Sequence, residues 1–367
     1  MATMHLLEEL TAAGRAPLRA WPAHYPDHRA MATLCSYAPG EIIHAAGLTP
    51  IRVRGNSAPL CQVDAHLQSF TCALCRSTLD QLLSGDLGFL VGTTFAHTCD
   101  TMQAMADLWR INSDPARFVD VVMQPTSLDS PAAYVYLVAE LTRFRDRIAA
   151  FIGHPIADDD LRTSIALFDE TRRLVQELQQ RRDRLSATDF FAILDAAQVM
   201  PREQFNLHLA DLLVALDTTP PRSGSPGLFL SGAVLDEPHV VEIIDDLGAR
   251  VVGDDLCSGS RHFHDRVGAE GDPIGALAGY FLRRPPCPAK LQPQHDPGTY
   301  LLNQARTVRA DGVVFVLEKF CDPHAFDRAL ALRALDGAGV PNLLLEVEQS
   351  SSLEALRTRL QAFVEML

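Results

Sequence analysis

Residues 311–327 read DGVVFVLEKFCDPHAFD. Residues 312–317 are an unbroken apolar, β-branched run, the pattern of a strand buried on both faces. Lys319, Phe320, Cys321, Asp322 and Pro323 follow, and then a helical pattern begins. Pro323 suits the first position of a helix, where a missing N–H costs nothing. Cys321 therefore stands where a parallel strand ends and a helix starts. Open α/β sheets bind their ligands at that edge, and the positive end of a helix dipole favours a thiolate there. A small residue filling a tight turn explains the same position without any chemistry.

A second stretch has the same design. Residues 89–96, FLVGTTFA, read as a strand; His97, Thr98, Cys99 and Asp100 follow, and a helical pattern covers 101–112. Outward from these two junctions the chain alternates strand and helix. Strands are expected over 31–36, 51–53, 118–123, 227–234, 249–254 and 342–347. Helices are expected over 41–46, 239–247, 274–282, 300–310 and 353–367, with a loop and then a helix over 70–85 that has Cys72 and Cys75 at its start. This alternation predicts parallel α/β sheets.

The middle differs. Between residues 131 and 216 the apolar residues recur at helical spacing, as in Leu137, Leu141, Phe144, Ile148 and Phe151. Residues 218–226, TTPPRSGSP, form a linker by composition. The expected organisation is an N-terminal α/β half (1–130), a helical segment (131–217) and a C-terminal α/β half (218–367). Each half is expected to be Rossmann-like, in the flavodoxin manner, with the functional cleft between them.

At 367 residues the chain exceeds one ordinary core. Its net charge of −14 argues against nucleic acid or an anionic membrane as partner. Only two lysines occur, Lys290 and Lys319, so nearly all positive charge is arginine. The start, MATMHLLEEL, lacks the basic and apolar regions of a signal peptide, and no apolar run is long enough to cross a bilayer. The expected location is cytoplasmic. The eight cysteines are then expected to be reduced, metal-bound or catalytic rather than paired.

Walker-A, G-x-G-x-x-G, G-x-S-x-G and H-E-x-x-H patterns are absent. That excludes ATP hydrolysis by a P-loop and disfavours a nicotinamide cofactor. The cysteines are left to carry the chemistry. Cys99, Cys321 and one of Cys72 or Cys75 supply three thiolates able to hold a [4Fe–4S] cluster with one iron open. Cys72, Cys75, Cys99 and His97 offer a zinc site instead. With neither metal, the chain is a non-catalytic α/β binding module with structural cysteines. Spacing alone leaves the three readings open.

Five motifs point further: YAPGEIIHAAGLTP (37–50), CALCRSTLDQLLSG (72–85), HTCDTMQ (97–103), VVGDDLCSGSR (251–261) and the opening stretch. Together with LLLEVEQ and LRTRLQAFVEML near the end, they resemble the cluster-bearing subunits of the 2-hydroxyacyl-CoA dehydratase and benzoyl-CoA reductase family. The resemblance implies a [4Fe–4S] cluster held by three cysteines. It also implies a homologous second subunit, an acyl-CoA substrate and a separate ATP-hydrolysing iron–sulfur activator that delivers a low-potential electron. Cys99 and Cys321 match the family's second and third ligands. The first ligand precedes an arginine by four positions, which selects Cys72 through Arg76 and leaves Cys75 as an extra packed thiol. The resemblance also implies a substrate-side role for the loop bearing Cys257.

Glu41 opens a helix, where a carboxylate is stabilising in its own right. Its functional reading places Glu41 and Ser36 near the open iron, handling a proton or the substrate oxygen. Lys319 and His97 flank the ligands and are either tuning groups or surface groups. Cys35, Cys61 and Cys287 read as structural.

Overall fold

The computed structural model describes residues 2–235, 239–268, 270–348 and 351–367. Two four-stranded, all-parallel sheets dominate it. The first contains β1 (Ala30–Thr33), β2 (Thr49–Arg52), β3 (Gly92–Ala96) and β4 (Phe118–Val122), in the order β2-β1-β3-β4. The second contains β5 (Gly227–Gly232), β6 (Arg250–Asp255), β7 (Gly312–Glu318) and β8 (Asn342–Val347), in the order β6-β5-β7-β8. The two halves thus share one strand order. In each, the chain steps outward from the first strand and then crosses back to its other side. That reversal opens a crevice beyond the strand ends, between β1 and β3 and between β5 and β7.

The expected strands and helices are present, and the differences are at their ends. The third strand begins at Gly92 rather than at residue 89, because residues 87–90 turn onto themselves, Leu90 N–H donating to the Leu87 carbonyl at 3.2 Å. Glycine is required at the new start: a Cβ on Gly92 would stand 2.7 Å from the Phe118 carbonyl and side chain on β4. Two helices start earlier than expected, at Pro273 and Pro297. Each has proline at its first position behind an aspartate cap. Asp272 accepts the Gly275 N–H at 2.8 Å, and Asp296 accepts the Thr299 N–H at 2.7 Å.

Four helices, Pro131–Ile152, Asp158–Gln180, Ala187–Val199 and Arg202–Leu216, lie between the sheets in sequence. Their apolar faces are divided between the two halves. Leu137, Leu141 and Phe144 join Met31 and Phe118 in one core, together with Leu277 and Phe281 from the helix Pro273–Leu282. Phe190, Phe205 and Leu209 join Leu228, Val314 and Val316 of the second sheet in another. The first residues, where the sequence says little, form a helix, Ala2–Arg15, that docks on Ala187–Val199. Gly14 makes that docking possible, since a Cβ there would lie 1.9 Å from the Ala192 carbonyl oxygen. No helix among the described residues is long and apolar enough to cross a membrane.

Candidate functional site

Three cysteines are helix N-caps. Cys72 precedes the helix Ala73–Leu83, Cys99 precedes Asp100–Asn112, and Cys321 precedes Asp322–Gly337. This position ordinarily belongs to Ser, Thr, Asp or Asn, whose oxygen accepts an orphan N–H, and a poorer cap costs about 1 kcal/mol. Five other helices follow the rule, with Ser130, Ser186, Asp272, Asp296 and Ser352 as caps, while Pro39, Ala157 and Pro201 stand at the starts of three more. Sulfur therefore replaces oxygen at three helix starts that share one edge of the fold.

The local backbone explains how each is delivered. Cys99 follows β3 and Cys321 follows β7, the two strands beside the crevices. Phe320 has a φ of 66°, a left-handed conformation that a bulky side chain rarely adopts. This turn swings the chain from β7 into the helix, and the Cys321 N–H donates to the Glu318 carbonyl at 3.0 Å.

The three thiols sense one another. Burial pushes the Cys321 thiol up, the N–H of His324 opposes this, and the charges of Cys72 and Cys99 add to the rise. Burial likewise raises Cys99, against the N–H groups of Met102 and Thr101, with Cys72 and Cys35 nearby. Cys75 is fully buried; a hydrogen bond with Cys72, and then burial, hold it protonated. Among the described residues no His, Cys, Asp and Glu side chains close on one point as a single ion demands. A cubane needs something else: three thiols spread around a larger volume, with N–H groups aimed at sulfur. Cys72, Cys99 and Cys321 offer three such thiols, and N–H groups of His324, Met102 and Thr101 face two of them. A cleft of about 370 Å³, lined by Thr71, Ala73, Arg76, Lys319 and Phe320, opens beside Cys72 and Cys321 between the two halves.

The other expected residues lie at different places. Lys319 is half-exposed and pairs with Glu348 at 2.9 Å. The His97 carbonyl accepts from Lys290 Nζ at 3.1 Å, and that ammonium also sits 5.6 Å over the Tyr37 ring. Cys257 Sγ accepts from Arg261 Nη1 at 3.4 Å, and Arg261 pairs with Asp255 at 2.6 Å. The loop around Cys257 is braced by Asp254, which accepts the Ser260 N–H at 2.8 Å and leaves Gly259 no space for a Cβ.

Ser36 and Glu41 come together, lining a small cavity along with Cys35. Glu41 is 2% exposed and ion-paired to Arg172. The Ser36 carbonyl accepts from Arg284. The arginines of this cavity were not legible in the sequence. Arg52, Arg172, Arg202 and Arg284 come from four separate elements, and no spacing links them.

Residues 35–367 match the family of the 2-hydroxyglutaryl-CoA dehydratase D-component. The chain is 29% identical over 361 residues to a benzoyl-CoA reductase subunit of Thauera aromatica, covering 95% of this chain and 93% of that protein. It is 28% identical to the lactoyl-CoA dehydratase β subunit of Anaerotignum propionicum, covering 90% of each. It is 24% identical to the (R)-phenyllactyl-CoA dehydratase β subunit of Clostridium sporogenes, covering 92% of each. The family match begins just after β1 and includes all three cysteine-capped helices: this chain belongs to the 2-hydroxyglutaryl-CoA dehydratase D-component family and is an enzyme subunit of the dehydratase and benzoyl-CoA reductase kind.

Proposed function

We propose that Cys72, Cys99 and Cys321 hold a [4Fe–4S] cluster, and that the chain passes a low-potential electron from an ATP-hydrolysing iron–sulfur activator to an acyl-CoA. One observation carries the reading: three helix starts, drawn from both halves of the fold, present sulfur where oxygen is the ordinary cap. Bound there, the cluster supplies one-electron chemistry and an iron able to take a substrate oxygen. The chain's own groups do the rest. Helix N-termini favour anionic sulfur electrostatically. The three cysteines are half-buried, which limits their contact with bulk water. Ser36 and Glu41 handle a proton or the substrate oxygen from the adjoining cavity, and Arg172 sets the position of the Glu41 carboxylate.

Each of these relatives is one subunit within a larger enzyme, so the chain takes the corresponding place beside a homologous partner. The reaction is then dehydration of a 2-hydroxyacyl-CoA or reduction of an aromatic acyl-CoA, in the cytoplasm. Anaerobic purification tests this. A brown protein with about four irons per chain supports it, and a colourless or zinc-bearing protein refutes it. Cys321→Ala removes one of three thiolates and should abolish activity and most of the iron. Its far-ultraviolet circular dichroism should be unchanged, because the strand and helix on either side are intact. A folded Cys321→Ala protein with full iron would overturn the assignment.

A further inference from the structure

The cavity beside Ser36 and Glu41 has a volume of about 40 Å³. One water needs roughly 10–15 Å³, so the space admits a small polar group and excludes anything the size of a cofactor. Four of its wall residues are arginines, and none is more than 7% exposed. Their partners are unequal. Arg172 pairs with Glu41 and, at 2.8 Å, with Asp169. Arg52 donates to Gln198 Oε1 at 3.1 Å and to the Cys257 carbonyl at 2.7 Å. Arg284 donates to the carbonyls of Ser36 and Arg261. Arg202 lies over the Phe168 ring at 4.9 Å, and its Nε and Nη1 meet no acceptor among the described residues.

Four guanidinium groups therefore face one carboxylate in the cavity wall, Glu41, with Asp169 and Glu203 behind it, in a nearly dry site. A buried guanidinium without a counter-charge is costly, and apolar residues of similar volume would be cheaper. Burial, and then Arg172, lower the Arg202 pKa to about 10, against the opposing charges of Glu41 and Glu203. Burial and the charges of Arg52, Arg284, Arg202 and Arg172 hold the neighbouring His262 neutral, with its Nδ1 also unpartnered. The wall is positive, donor-rich and short of acceptors, which is the complement of a small planar anion.

We propose that this cavity is a binding site for a carboxylate group, with Arg202 supplying buried N–H donors that meet no acceptor among the described residues. The site stands on the arginines alone and does not depend on the cluster. The carboxylate belongs either to the acyl end of a dicarboxylic acyl-CoA or to a free short-chain acid.

The test uses the purified full chain, with melting temperature and calorimetric titration as readouts. Acetate and glutarate should each raise the melting temperature, and sodium chloride at equal ionic strength should not. Arg202→Met should weaken acetate binding at least tenfold and abolish the carboxylate-induced rise. In the absence of acid it should melt above the wild type, since buried donors without acceptors have gone. Arg202→Lys should keep binding within about threefold. Competition then separates the sources: glutaryl-CoA displaces acetate if the acyl end is the ligand and fails to if a free acid is. Three outcomes overturn the proposal. They are no carboxylate-specific stabilisation of the wild type, undiminished binding by Arg202→Met, and failure of Arg202→Met to fold, which would show that the guanidinium is already compensated.

Discussion

Cys72 and Cys75 are three residues apart, yet the structure treats them differently. Cys72 is an N-cap at the cleft, and Cys75 is 1% exposed behind it with its thiol hydrogen-bonded to Cys72. Cys75→Ala should therefore keep full iron content in an anaerobic preparation, while Cys72→Ala should lose most of it. The reverse result would exchange their roles. Glu41 shows a different side of burial. Its pair with Arg172 is almost wholly out of water, and removing one partner of such a pair strands the other charge. Glu41→Gln should cost about 3 kcal/mol, measured as a lower urea midpoint, quite apart from its effect on turnover.

Two packed elements carry predictions of their own. The helix Ala2–Arg15 reaches Ala187–Val199 only because Gly14 lacks a Cβ. Gly14→Ala gains about 1 kcal/mol of intrinsic helix propensity but forces backbone against backbone. The net effect should be a loss of about 2 kcal/mol, read by urea unfolding. The segment leading into the helix Pro273–Leu282 carries His264, stacked on Tyr280 at 5.1 Å. Burial, then Arg284 and Arg172, push its pKa down to about 3. Folded His264 thus stays neutral at pH values where the unfolded chain, titrating near the ordinary value of about 6.5, takes up a proton. The unfolded state binds more protons, so stability is full above about 6.5 and falls as pH drops toward 3. The slope from this group is at most about 1.4 kcal/mol per pH unit. His264→Gln should flatten the fall in urea midpoint between pH 6 and 4, and an unchanged slope would show that the ring titrates freely.

At the scale of the molecule, large apolar side chains stand exposed next to two of the cysteines and along the helix that Cys321 caps. Phe70 is 66% exposed just before Cys72, and Phe320 is 45% exposed just before Cys321. On the helix that Cys321 caps, Phe326 is 78% and Leu330 40% exposed. Exposed apolar groups gathered in this way mark a surface that a partner covers. The chain should accordingly work as part of a heteromer. Phe326→Asp should leave the fold unaltered by circular dichroism and reduce co-purification with the second subunit about tenfold. Full turnover by the isolated chain with activator alone would contradict this.

What the sequence determined by itself was local. A β-branched run over 312–317 makes a strand, Pro323 starts a helix, and the cysteine between them is thereby placed at a sheet edge. The same logic placed Cys99, because hydrophobic period and proline position act within about ten residues. The helices behind Asp272 and Asp296 were legible too, though apolar period alone set both starts too late. Tertiary structure decided what depends on distant segments meeting. The helix Pro273–Leu282 follows the second sheet's first strands in sequence, yet it packs into the first sheet's core beside Phe144. Gly14 looked unremarkable until a second helix lay against it. Above all, Arg52, Arg172, Arg202 and Arg284 carry no signal of burial in the sequence, because arginine is usually exposed. Only the convergence of a strand, two helices and a loop takes them out of water, and desolvation is what gives their charge its chemical force.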